Sequence, residues 1–159
     1  MTKKTIKLLV IACGFFGYTM LGSAQSNKVS VAFPDGYRLW THVKSGIVGP
    51  DSPAHGLHHI YANAAAMEGF RTGRFNDGST IVFDVLALDA NNDVGERRYI
   101  DVMQKDSVRF VKTGGWGFEE FRGNSNKTEP ALNETDKIGC FNCHVKQKQH
   151  DYVFSSFRE

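Results

Sequence analysis

Apolar residues along this chain fall in short alternating or continuous runs, and no long stretch keeps a 3.6-residue period. Ser79–Leu88 (STIVFDVLAL) is β-branched and apolar on both faces apart from Asp84, which predicts a strand in the middle of a sheet. Leu57–Ala62 (LHHIYA) and Arg97–Lys105 (RRYIDVMQK) predict two further strands. Trp116–Arg122 (WGFEEFR) follows a Gly114-Gly115 turn. In Phe75-Asn76-Asp77-Gly78 the Asp-Gly pair supplies the positive φ angles of a tight turn. Asn63–Gly69 (NAAAMEG) reads as a short helix with Asn63 as N-cap and Gly69 as its stop. Phe33–Tyr37 is a turn that opens a short helix or strand through His42, and Val43–Gly56, rich in Gly, Pro and Ser, reads as a loop. Asp89–Glu96 is a polar turn, Asn124–Asp136 a polar loop, and Cys140–Phe157 a partly helical tail. The fold class is α+β and β-rich: an antiparallel sheet with short helices. The missing long helical periods exclude a helix bundle.

The first 24 residues follow a different pattern. Lys3, Lys4 and Lys7 precede an apolar run from Leu8 to Leu21, and Gly22-Ser23-Ala24 ends it. This is the layout of a secretory signal peptide cut after Ala24, which leaves residues 25–159 as one exported domain. The run is too short and Gly-interrupted for a spanning helix of about 20 apolar residues. The rival is a lipoprotein signal with Cys13 as the lipidated residue. It leaves fewer apolar residues after Lys7 than the roughly 7–15 such a region needs.

Removing this leader alters the charge. The chain has 19 Lys+Arg and 17 Asp+Glu. Three lysines and no acids leave with the leader, so the mature balance is 16 − 17 = −1. Nothing in it suggests a nucleic-acid partner, which needs a basic patch. Cys13 leaves too, so Cys140 and Cys143 are the cysteines that remain.

Those two belong to Cys140-Phe141-Asn142-Cys143-His144, a C-x-x-C-H run. Such a run attaches a c-type haem through two thioethers, with the adjacent imidazole on the iron. Residues three apart share a helix face, so both sulfurs reach one porphyrin edge. A zinc site needs about four ligands, and the chain has no second C-x-x-C. A redox dithiol belongs after a strand near the start of a βαβ unit. A plain disulfide in an exported domain is the remaining alternative. The sequence therefore predicts one covalent haem c, with Cys140 and Cys143 as its anchors and His144 as axial ligand.

The runs FPDGYRLWTHVKS, GLHHIYAN, FNDGSTIVFDVL, RRYIDVMQKDSVRF, TGGWGFEEF, CFNCH and DYVF resemble the cytochrome P-460 family, which includes cytochrome c′-beta. The resemblance runs from Phe33 to Phe157. It implies a β-rich subunit, a covalent haem near the C-terminus and a homodimer. In the P-460 enzymes a central-strand lysine is cross-linked to the haem and hydroxylamine is oxidised. In cytochrome c′-beta that position is an apolar aromatic, and a five-coordinate haem binds nitric oxide and carbon monoxide. Phe83 falls at this position, and STIVFDVLAL contains no lysine. The resemblance thus makes Phe83 the distal cap, and it places Asp101 where the enzymes have a distal carboxylate able to relay protons.

Other candidates are less specific. One of His55, His58 and His59 is expected at the distal side, with His55 named for the pocket. Met103 is an alternative iron ligand or core filler. Arg97, Arg98 and Arg109 are candidate partners for haem propionates. Trp116, Phe118 and Phe121 are expected to pack the sheet or a dimer face, and Lys146–Gln149 to be solvated. The expected function is an exported, periplasmic monohaem cytochrome that binds nitric oxide or another diatomic in nitric oxide handling or sensing, with a possible redox partner and no membrane span. The alternatives are an oxidoreductase acting on hydroxylamine, nitric oxide or peroxide, an electron carrier, and a haem-free binding module.

Overall fold

The computed structural model describes residues 30–127 and 132–157. The leader expected over residues 1–24 lies outside the described residues. Five strands form one antiparallel meander: β1 (Thr41–Val48), β2 (Gly56–Ala62), β3 (Thr80–Leu88), β4 (Val94–Lys105) and β5 (Trp116–Arg122), side by side in chain order. Helix α1 (Ala64–Thr72) joins β2 to β3, and α2 (Glu134–His144) follows β5. The α+β, β-rich class read from the sequence is the one observed. No helix among the described residues is long and apolar enough to cross a membrane.

The apolar run of β3 lies third of five, as its two-sided pattern requires. Its residues feed two cores. Ile81 joins Ile60, Met103, Trp116, Phe118 and Val153 on one face, while Val82 joins Tyr37, Ile100, Val102 and Phe121 on the other. Helix α2 packs on β5, and Cys140 and Phe141 pack on the first core.

Three local expectations change. Residues 43–48, expected as the start of a loop, belong to β1, which runs from Thr41 to Val48. It is an edge strand bonded to β2 alone, with Val43 as its buried residue and a bulge between His42 and Lys44. Residues on both of its faces are mostly exposed, so it shows no apolar alternation and the sequence pattern missed it. Strand β4 begins at Val94, ahead of the expected Arg97. Asn63 does cap α1, its side chain accepting from the Ala66 amide at 2.9 Å. The helix, however, runs past Gly69 to Thr72, and Gly73, at φ 77°, ends it.

Gly69 serves packing instead. A Cβ there would lie 2.2 Å from the Phe75 ring. Alanine normally favours a helix over glycine by about 1 kcal/mol. Here Gly69→Ala is expected to destabilise the fold by about 1–3 kcal/mol through overpacking. Urea denaturation measures this, and a stabilised variant would contradict the contact.

Candidate functional site

The motif is carried by α2, which starts before it. Asn133 caps this helix, accepting from the Asp136 amide at 3.0 Å, while Asp136 accepts from the Asn133 amide at 3.1 Å. This capping box fixes where the helix begins, and hence which face carries Cys140, Cys143 and His144. Lys137, on the same helix, pairs with the buried Glu119 of β5 at 3.2 Å. Glu119 also accepts from the Leu132 amide at 3.3 Å. These contacts seat the helix on the edge of the sheet.

Beyond His144 the chain makes a 3-10 turn (Val145–His150) and then reverses. Asp151 and Tyr152 take left-handed φ angles of 50° and 67°, which non-glycine residues hold only where surrounding contacts enforce them. Asp151 supplies those contacts. Its carboxylate accepts from Lys105 Nζ at 2.7 Å and from the Phe75 amide at 3.0 Å, and its carbonyl accepts from Trp116 Nε1 at 2.9 Å. A Cβ on Gly114 would sit 2.6 Å from the Tyr152 ring, so glycine is needed there. The reversal brings the Tyr152 carbonyl 2.7 Å from His144 Nδ1. Phe118 and Phe154 flank the imidazole, with centroids 5.2 and 5.0 Å away.

A carbonyl only accepts, so His144 Nδ1 carries the proton and Nε2 is left as the basic nitrogen. This is the arrangement by which proteins orient a metal-binding histidine. Burial holds the His144 pKa below its usual range, against the opposing bond to Tyr152. The ring is therefore neutral at pH 7, as a ligand must be.

Between the sheet and this helical wall lies a cavity of about 700 Å³, within the range of small-molecule and cofactor sites. Cys140, Cys143 and His144 line it together with Ile60, Ile81, Phe83, Met103 and Phe118. Cys140 and Cys143 carry free thiols. Burial, then the carboxylates of Asp101, Glu120 and Asp136, push the Cys140 thiol up to about 11. It is thus protonated and a poor partner for thiol exchange, which weighs against the redox-dithiol alternative. Two thiols and a preorientated imidazole on one apolar wall fit a haem: the sulfurs would anchor it and His144 Nε2 would meet the iron.

The sheet wall holds the other candidates. Phe83 and Asp101 are direct cross-strand partners, and Glu120 follows Asp101 on β5. Both Phe83 and Asp101 line the cavity. Burial, and after it the Glu120 carboxylate, push Asp101 up to about 7. A carboxyl whose pKa is raised by folding contributes stability that is complete below its unfolded value of 3.8 and is lost as pH rises through about 7. Asp101→Asn is expected to flatten the decline in stability across this window. Urea denaturation at stepped pH reads it, and an unchanged pH profile would remove the assignment.

The histidines separate by strand alternation. His58 lines the cavity, whereas His59 bonds to Ser45 at 2.7 Å beside His42. His55, the residue named for the distal pocket, is not on the cavity wall. It precedes β2, lines a second depression with Arg98, and its carbonyl accepts from Arg98. The period of two along β2 puts His58 with Ile60, and that signal was present in the sequence.

The arginines named for propionates do not reach the cavity either. Arg97 pairs with the buried Asp84 at 3.1 Å, Arg98 is held by the 53–55 turn, and Arg109 bonds the Ser30 carbonyl at 2.8 Å. Lys44 of β1 does line it, and the sequence reading passed over this residue. Tyr152 was also missed, because a backbone carbonyl leaves no trace in residue type.

No curated protein shows significant similarity to this chain. A family model described as Cytochrome P460 matches residues 34–155, from the first turn before the sheet to the segment beyond Tyr152. That span holds all five strands, both helices and every cavity residue discussed above, so the chain belongs to the cytochrome P460 family, whose cofactor is a haem.

Proposed function

We propose that this protein is an exported, monohaem c-type cytochrome of the c′-beta kind, which binds nitric oxide and carbon monoxide in nitric oxide handling or sensing. The observation that carries this reading is the pairing of walls: a preorientated His144 on the helical side and Phe83 on the sheet side of one apolar cavity. When bound, the haem supplies an iron with a free coordination position for a small ligand. His144 would hold the iron through Nε2, with its proton kept on Nδ1 by the Tyr152 carbonyl. Cys140 and Cys143 would hold the haem through thioether bonds. Phe83 neither ligates nor donates a hydrogen bond, so it excludes bulky ligands and admits diatomics. β3 offers no lysine for a cross-link. Export follows from the leader pattern of residues 1–24, and the family resemblance adds a homodimer, which light scattering of the purified protein tests.

The deciding experiment is the absorption spectrum of protein matured with the c-type assembly machinery, ferric and then ferrous, with and without carbon monoxide or nitric oxide. A ferrous high-spin spectrum that converts on gas addition is expected. Sharp low-spin bands unmoved by either gas would overturn the reading in favour of electron transfer, with His58 or Met103 as the second ligand.

One observation favours a second reading. Asp101 and His58 both flank Phe83, and proton-accepting groups beside a ligand site suit oxidation of hydroxylamine. Turnover of hydroxylamine, or a haem–lysine adduct involving Lys44 in the intact mass, would support it.

A further inference from the structure

The edge of the sheet carries a second cluster of metal-ligating side chains, apart from the cavity. Two ring nitrogens from adjacent strands converge on one oxygen: His42 Nε2 lies 2.8 Å and His59 Nδ1 2.7 Å from Ser45 Oγ. A bulge makes this possible. His42 pairs with Tyr61 and Ser45 with His59, so three steps along β1 match two along β2. Regular alternation would set positions 42 and 45 on opposite faces and bring Lys44 opposite His59. The bulge between His42 and Lys44 re-aims the strand and gathers His42, Ser45 and His59. Lys44 is turned to the cavity wall instead, where its charge does not oppose a cation at the histidines. Tyr61 steadies both rings, with centroids 5.6 Å from His42 and 6.3 Å from His59. It is itself packed against the second core, on the face away from the cavity. The two imidazole centroids are 5.8 Å apart. Ser45 also borders the cavity, whereas neither of these histidines does.

We propose that His42 and His59 form a surface site for a divalent late transition metal, copper in preference to zinc. The Ser45 hydroxyl has one proton, so it donates to one ring and accepts from the other. A metal ion between the two nitrogens replaces that bridge and needs both of them bare. The ring that donated moves its proton to its other nitrogen, so no proton has to leave the protein. Imidazole nitrogen suits both ions, and the affinity order of N and O sites peaks at copper. Water and the Ser45 hydroxyl would complete the set, a mixture of nitrogen and oxygen that matches tetragonal Cu2+. Two protein nitrogens are fewer than the four ligands of a structural zinc site. Among the described residues no group of three or more His, Cys, Asp or Glu is placed to hold a metal. The site is therefore an exchangeable one, open to water on an edge strand, and it does not depend on the haem.

The test titrates Cu2+ and, separately, Zn2+ into wild-type holoprotein and into His42→Ala, His59→Ala and His150→Ala, with affinity read by calorimetry. Electron paramagnetic resonance of the bound copper counts its imidazole nitrogens. His150, an exposed histidine at the end of the 3-10 turn, is the control. Wild type is expected to bind copper through two imidazoles and more tightly than zinc. His42→Ala and His59→Ala should each weaken copper binding at least about tenfold, the lower end of what loss of an outer-shell partner alone costs. His150→Ala should leave the affinity unchanged. Neither His42 nor His59 lines the cavity, so the haem spectrum should match wild type in both variants. Copper held by a single imidazole, or an affinity unmoved by His42→Ala and His59→Ala, would overturn the proposal. Zinc bound more tightly than copper would overturn the metal assignment. Each of these outcomes leaves the haem reading standing, because none is read at the iron.

Discussion

Replacing Cys140 and Cys143 together with serine is expected to abolish covalent haem attachment. The readouts are loss of haem stain on a denaturing gel and loss of the haem mass in the intact protein. Both thiols lie on the wall of one cavity, and His144 stands beside them with its Nδ1 bonded to the Tyr152 carbonyl. Serine hydroxyls form no thioethers, so any haem in the double variant is held only by His144 and apolar contact, and denaturation strips it away. Each single variant keeps one thiol and is expected to retain stain with a shifted spectrum. A double variant that still stains after denaturation would overturn the c-type reading while leaving the cavity and the family assignment in place.

Asp84→Ala is expected to destabilise the protein by about 3–5 kcal/mol, the cost of leaving a buried charge without its partner. Asp84 is fully buried on the face of β3 away from the cavity. Its carboxylate accepts from the Tyr37 hydroxyl at 2.7 Å and from Arg38 at 3.0 Å. Arg97 Nε lies 3.1 Å from its other oxygen, close enough for ion pairing but not aligned as a hydrogen bond. Arg38 is half exposed and can return to water, whereas Arg97 is nearly buried and cannot. Most of the loss therefore falls on Arg97. Burial and the bond to Asp84 also push the Tyr37 hydroxyl up to about 12, so it stays protonated and donating. With domain stabilities of about 5–15 kcal/mol, the variant should show a much lower urea midpoint. Asp84→Asn, which keeps an acceptor, should lose less. A variant within about 1 kcal/mol of wild type would show that water replaces the carboxylate at Arg97.

Both predictions draw on features that the sequence and the fold supplied unequally. The β3 run could be read directly, because a strand covered on both faces must be apolar on both. So could the Asn63 cap and the C-x-x-C-H run, since each depends on residue type at fixed local spacing. Strand β1 could not. An edge strand is defined by its hydrogen bonds to β2, and those bonds do not depend on side-chain polarity. Gly69 misled for a related reason: its partner, Phe75, comes from beyond the helix.

The site divides in the same way. By itself the sequence determined the C-x-x-C-H run on which the proposed haem attachment rests and the β-rich class, both carried by local chemistry or period, while the expected role of Phe83 came from the family resemblance. Only the tertiary structure decided that His58 rather than His55 stands on the cavity wall, that Arg97 is spent on Asp84, and that Asp101 is pushed up to about 7 beside Glu120. It alone decided that an aspartate seven residues beyond His144 bends the chain so that the Tyr152 carbonyl fixes the imidazole. Each of these outcomes depends on burial and on neighbours from distant strands, which no local pattern encodes.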